Sequence, residues 1–148
     1  MGSVSVLQHV IGASAAAAAV QAAVQKAHDL DIRINAAVVD SGGNLAAFLR
    51  MPGAFLHSIS IAMDKAYTAA GFDLPTDQFE QLLPAGSLFR DSFLHRPRLV
   101  AFGGGLPIRH GGHLLGGIGI SGGSEDQDKA CATAGLDAIA AMAGAHSG

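Results

Sequence analysis

Ala101–Ser121 reads AFGGGLPIRHGGHLLGGIGIS, and eight of these 21 residues are glycine. The apolar residues between the glycines still form two short β-prone runs. Val100, Phe102 and Leu106 lead into Pro107-Ile108, and Leu114, Leu115, Ile118 and Ile120 follow His110-Gly111-Gly112-His113. A Gly-Gly pair between two such runs predicts a hairpin, because both central residues of a tight primed turn need positive φ. Glycine within a strand costs backbone entropy and supplies no side chain to pack. So many glycines in one hairpin point to close approach by another backbone or by a ligand.

Outward from this hairpin the chain punctuates itself. On its C-terminal side, Gly122-Gly123-Ser124-Glu125-Asp126 reads as loop and cap to a last helix from about Glu125 to Ala143. On its N-terminal side, Ser87–Pro97 mixes Phe89, Phe93, Arg90, His95 and Arg96 without a clear period, helix or loop. Before it, Thr76 is expected to cap a short helix with Phe79, Leu82 and Leu83 on its apolar side. Phe55, Ile59, Ala62, Ala66 and Ala70 mark a longer amphipathic helix, with Gly71 at its C′ position. Ile32–Val39, the turn Asp40–Asn44 and Leu45–Arg50 predict a first hairpin. The alanine-rich Ser14–Leu30 predicts a helix with Ser14 as N-cap. Val4–Ile11 is β-prone, an edge strand or an extended arm.

This order predicts a single α+β domain over residues 1–148, with an antiparallel sheet of four or five strands flanked by helices. Residues 1–13 are its expected arm or edge strand. Hydrophobic residues make up 49% of the chain and charged residues only 14%, against about a quarter in average domains. So little charge predicts surface buried in a homo-oligomer. A net charge of −3 argues against nucleic acid, whose phosphates call for a basic face. The Ala13–Val24 run is too short and too weakly apolar to span a bilayer. The N-terminus lacks the basic and apolar regions of a signal peptide, and the lone Cys131 suits a reducing cytosol.

Four segments carry a family resemblance: VVDSGGNLAAFLRMPGA (Val38–Ala54), AMDKAYTAAGF (Ala62–Phe72), FGGGLPI (Phe102–Ile108) and GGIGISGGSEDQD (Gly116–Asp128). In this order and spacing they resemble the GlcG/HbpS family, which includes haem-binding proteins and the C-terminal domain of PduO-type proteins. The resemblance implies the same α+β fold, assembly into tetramers or octamers, and haem as a candidate cofactor. It does not fix an activity.

Candidate chemistry falls on a few residues. His110 and His113 flank the glycine turn as HxxH and could place two imidazoles on one metal; turn histidines in solvent are the competing reading. Lys65 lies mid-helix beside Ile61 and Phe72, where desolvation could make it a base, a Schiff-base nucleophile or an anion holder; a salt bridge is the alternative. Gly122 and Gly123 precede a helix N-terminus that could hold a carboxylate or phosphate, unless Glu125, Asp126 and Asp128 satisfy it. Under the haem reading Arg109, Gly104, Gly105, Gly122 and Gly123 are the expected cofactor contacts. Arg50 and Arg98 are further cations able to meet a propionate. His9, His28, His57 and His95 are further axial-ligand candidates, and the absence of CxxCH excludes covalent haem attachment.

Two functions follow. The first is a homo-oligomer binding haem or a related tetrapyrrole in a cofactor-handling or protective role. The second is a cofactor-independent isomerase, lyase or hydratase acting on a small organic acid, with Lys65, His110 and His113 as its catalytic groups.

Overall fold

In the computed structural model, which describes residues 2–146, the alanine run forms helix α1 (Ala13–Asp29). Its N-cap is Gly12 in extended conformation, not Ser14, and no side chain caps the first turn. Ala16, Ala19, Ala23 and Ala27 are fully buried along one face, where small side chains let α1 lie close to the last helix, α5 (Glu125–His146). On α5 the contact is made with Cys131, Ala132, Gly135 and Ile139; Cys131 is a buried packing residue.

The two predicted hairpins both form. Strands β1 (Asn35–Asp40) and β2 (Leu45–Arg50) turn on Asp40, whose Oδ1 accepts from the Gly42 N–H at 2.9 Å and the Asn44 N–H at 3.0 Å. Strands β3 (Gly105–His110) and β4 (His113–Ser121) turn on Gly111 (φ 59°) and Gly112 (φ 79°), the two positive angles the sequence demanded. β1 pairs antiparallel with β4, giving one four-stranded sheet of order β2-β1-β4-β3. β3 starts at Gly105, so Val100 and Phe102 lie in the approach to the hairpin and not in its first strand.

Alternation along the strands divides the core. Ala36, Val38, Ile118 and Ile120 face α1 and α5, while Ala37 and Val39 face helix α2 (His57–Phe72) through Ala62, Ala66 and Ala70. Gly105 and Gly117 let α2 rest directly on strand backbone. A Cβ on Gly117 would stand 2.4 Å from the Ala66 carbonyl oxygen, and one on Gly105 would stand 2.7 Å from that of Lys65. Another backbone, then, is what the glycines admit.

Several local expectations differ. α2 runs one residue past Gly71, and its left-handed cap is Asp73 (φ 55°). Phe55 lies before the helix and is exposed. Thr76 begins a 3-10 turn (Thr76–Gln78) leading into α3 (Phe79–Leu82); it is buried, its Oγ1 accepting from the Gly105 N–H at 3.0 Å, and Leu82 faces water. Residues 4–11 form an extended arm with no ladder partner among the described residues. The arm is tied by Ile11 N–H to Leu115 O (3.0 Å) and Ser41 Oγ to His9 O (2.6 Å). Ser87–Pro97 contains helix α4 (Leu88–Leu94), capped by the Ser87 hydroxyl.

Candidate functional site

Two helical stripes face one another across a cavity. Asp64, Tyr67, Thr68 and Gly71 follow the i, i+3, i+4, i+7 rule on α2, and Phe89, Ser92, Phe93 and Arg96 follow it from α4 into its C-terminal turn. All but Asp64 line a cavity of about 410 Å³ together with Phe72, Pro97, Arg98 and Leu99. This volume lies within the usual ligand range of roughly 300–1,000 Å³. Aromatic contacts hold the walls in place: Phe72 meets Phe79 and Phe93 edge-on at 5.2 and 5.4 Å, and Phe89 stacks on Phe93 at 5.9 Å. Gly71 leaves the α2 wall open, with no atom within 4 Å of where its Cβ would be.

Arg98 is fixed at the edge of this cavity from three directions. The Thr68 hydroxyl donates to its carbonyl at 2.9 Å and accepts the Val100 N–H at 3.1 Å. Its Nε donates to Asp64 Oδ1 at 2.9 Å. Its guanidinium lies over the Tyr67 ring, 3.7 Å from the centroid, a cation–π contact. It also holds φ at 64°, a left-handed conformation that costs a non-glycine residue about 1 kcal/mol or more and persists when its surroundings over-determine it. Arg96 has no ion-pair partner among the described residues. An apolar, aromatic slot with two guanidinium groups at its rim suits a flat apolar ligand that carries carboxylates.

The residues singled out from sequence fall elsewhere. Lys65 is 1% exposed, with Nζ donating to Ile120 O at 2.7 Å and to Asp128 Oδ2 at 3.2 Å. Desolvation pushes its pKa down and that of Asp128 up, each opposed by the other's charge. The salt-bridge reading of Lys65 therefore describes its surroundings. Gly104 and Gly105 make room for protein: a Cβ on Gly104 would stand 2.6 Å from Lys65 Nζ, and one on Gly105 would stand 2.6 Å from the Thr76 methyl. The Gly123 N–H donates to Asp128 Oδ1 at 2.8 Å. Ser124 and Gln127 close a reciprocal capping box above them. The predicted anion cradle is filled by the chain's own carboxylate.

His110 pairs with His113 in register at the hairpin tip, and the His113 ring stacks on His9 at 3.9 Å. Among the described residues no group of three or more His, Cys, Asp or Glu side chains is placed to hold a metal ion. Arg109 is paired with the Asp73 carboxylate and donates to Gly112 O at 3.1 Å, and it does not line the cavity. Lys65 meets Ile120 at one end of β4, while His113 begins the other end, seven residues or roughly 23 Å away. The three catalytic candidates of the enzyme reading do not converge.

The cavity itself was missed. Its signal is the i, i+3, i+4, i+7 spacing of Phe89, Ser92, Phe93 and Arg96, obscured because Phe89, Ser92 and Arg96 are exposed and two of the four are polar. A second cavity, of about 460 Å³, opens beside the C-terminal end of α1, where Val24, His28, Leu49, Arg50 and Met51 meet. Among the described residues no helix is long and apolar enough to cross a membrane.

Comparison with known proteins places these features in context. The family model described as "Haem degrading protein HbpS-like" matches residues 11–137. An uncharacterized 15.0 kDa protein from the dhaT-dhaS intergenic region of Citrobacter freundii is 36% identical over 123 residues, covering 82% of this chain and 87% of that protein. Among solved structures, Klebsiella pneumoniae protein ORFY superposes with a TM-score of 0.87 at 31% identity, covering 95% of this chain and 98% of that one. A PduOC:heme complex superposes with a TM-score of 0.80 at 32% identity, covering 87% and 94%.

Proposed function

The chain belongs to the HbpS-like family, and on that premise we propose that it binds haem or a related tetrapyrrole in the cavity between α2 and α4, in a cofactor-handling or protective role. The observation that carries this reading is the aromatic cavity of about 410 Å³ rimmed by Arg96 and Arg98. The haem complex of the PduOC structure, which shares the fold at 32% identity, supports it. Phe72, Phe89 and Phe93 would cover the apolar ring, and Arg96 and Arg98 would meet the propionates, Arg98 already held in place by Asp64 and Thr68. Haem, when bound, supplies a redox-active iron to this site.

The proposal includes a homo-oligomer, a tetramer or octamer. Val4, Val6, Leu7, Phe55 and Leu56 are between 70% and 107% exposed in the single chain, large apolar side chains that subunit interfaces would cover. Light scattering on the purified protein should give four or eight times the 14.9 kDa chain mass.

Titration with hemin tests the ligand. A saturable, shifted Soret band is expected. Gly71→Leu should weaken binding by about tenfold or more, about 1.4 kcal/mol, because it fills the cavity from its open wall. The variant should still fold, since nothing lies within 4 Å of the added Cβ. Equal binding by Gly71→Leu and loss in His28→Ala would move the site to the cavity beside α1.

A further inference from the structure

The cavity between α2 and α4 offers few atoms able to ligate iron. No histidine, cysteine or methionine lines it. The Thr68 hydroxyl is committed twice, as donor to Arg98 O and as acceptor from Val100 N–H. Guanidinium groups carry no free lone pair, which removes Arg96 and Arg98. Two hydroxyls remain, those of Ser92 and Tyr67. A phenol ionises far more readily than an aliphatic alcohol, and tyrosine is an established protein ligand to haem iron. Tyr67 is the chain's one tyrosine, and its hydroxyl has no hydrogen-bond partner among the described residues.

Resting on the haem reading above, we propose that Tyr67 is the protein ligand to ferric haem iron, bound as the phenolate, with Arg98 as the cation that positions it. The guanidinium lies 3.7 Å from the centre of the Tyr67 ring and is held there by Asp64 on one side and by the Thr68 clamp on its backbone. On ligation the phenol proton leaves to solvent, the phenolate oxygen forms its bond to iron(III), and the water or hydroxide carried there by hemin is released. No oxidation state changes. The positive charge of Arg98 offsets the negative charge that appears on the phenolate, while Asp64 tempers that effect and Arg96 adds to it from the rim.

The test uses the full chain loaded with hemin, read by absorbance and resonance Raman. The wild-type protein should show a ferric phenolate charge-transfer band and enhanced phenolate ring modes. Tyr67→Phe keeps the ring that packs against Arg98 and lacks only the oxygen. It should lose both signatures and bind hemin about tenfold more weakly or worse. Tyr67→His should restore tight binding with a nitrogen-ligated spectrum. Arg98→Ala should weaken hemin binding and shift the phenolate charge-transfer band, because the ring loses the guanidinium packed on its face, and Arg98→Lys should partly restore both. Unchanged phenolate-type bands in Tyr67→Phe, or their loss in His28→Ala or His95→Ala instead, overturn the ligand assignment while haem binding stands. Failure of the wild-type protein to bind hemin saturably overturns the haem reading, and this assignment with it.

Discussion

Gly119→Ala should cost this protein most or all of its native state, although the substitution adds a single methyl group. The new Cβ would stand 2.0 Å from the Ala62 carbonyl oxygen, 2.5 Å from the Ala66 nitrogen and 2.9 Å from Lys65 Cβ. Two of these are backbone atoms of α2, so no side-chain rotation relieves the clash. α2 would have to lift from the sheet, opening the contact that buries Ala37, Val39, Ala62 and Ala66. Overpacking a core by a methylene typically costs about 1–3 kcal/mol, and a backbone-on-backbone clash lies at or above the upper end of that range. Against a total stability of roughly 5–15 kcal/mol, such a loss is measurable or fatal. Urea denaturation followed by circular dichroism measures it. Gly71→Ala, on the same helix, is the internal control: its Cβ meets nothing within 4 Å, and it should stabilise by about 0.5–1 kcal/mol through helix propensity. If Gly119→Ala unfolds at the wild-type urea concentration, α2 does not lie on β4 as described.

Lys65→Met should destabilise by about 3–5 kcal/mol, the usual result of leaving one member of a buried ion pair without its partner. Asp128 would keep its bond from Gly123 N–H and lose the ammonium that sits 3.2 Å away. The pH dependence follows from the direction of its shift. Burial already raises the Asp128 carboxyl above its ordinary value of 3.8, and the charge of Lys65 is the largest effect opposing that rise. Without Lys65 the rise is greater. A group with a raised folded-state pKa binds its proton more tightly in the native than in the unfolded chain. Its favourable contribution is complete below 3.8 and lost as pH climbs through the folded value. The deficit of Lys65→Met relative to wild type should therefore be largest near neutrality and shrink as pH falls toward 4. Lys65→Met/Asp128→Asn keeps an acceptor for Gly123 and removes the stranded charge; it should be more stable than the sum of the single variants by about 1–3 kcal/mol. A deficit that does not change with pH would mean that the carboxylate reaches water or another cation once Lys65 is gone.

Much of the architecture was legible because its causes are local. Asp40-Ser-Gly-Gly-Asn44 and Gly111-Gly112 carry the turn chemistry that hairpins require, and both hairpins stand where those residues place them. The errors are local as well. Ser14 lost the cap to Gly12 because alanine continues the helix two residues further back. Val4–Ile11 has strand composition but meets β4 through a single backbone bond, Ile11 N–H to Leu115 O, without a ladder, and remains an arm.

The candidate site was less legible. Tyr67 and Arg98 stand 31 positions apart and Asp64 and Arg98 stand 34 apart, so no spacing rule connects them. The histidines at the hairpin tip drew attention because imidazoles are conspicuous in sequence, yet the fold holds them away from both Lys65 and the aromatic cavity. The chain has only seven phenylalanines, which by composition argues against an aromatic pocket. Packing brings four of them, Phe72, Phe79, Phe89 and Phe93, into one cluster, and concentration at one place matters more than the total.

The two hairpins, the helices that follow the alanine and apolar periodicities, and the family are all readable from the residues alone. These depend on backbone conformation and on which face of an element is apolar, and both are encoded within a few residues. The use made of the glycines of Ala101–Ser121 depends on packing between distant segments. Gly105, Gly117 and Gly119 admit the backbone of α2 and Gly104 admits the head of Lys65, atoms 39 to 57 residues away in the chain. Packing likewise sets the ligand-sized space between α2 and α4: the spacing within each helix marks its own stripe, and which stripe faces which depends on how the two elements meet.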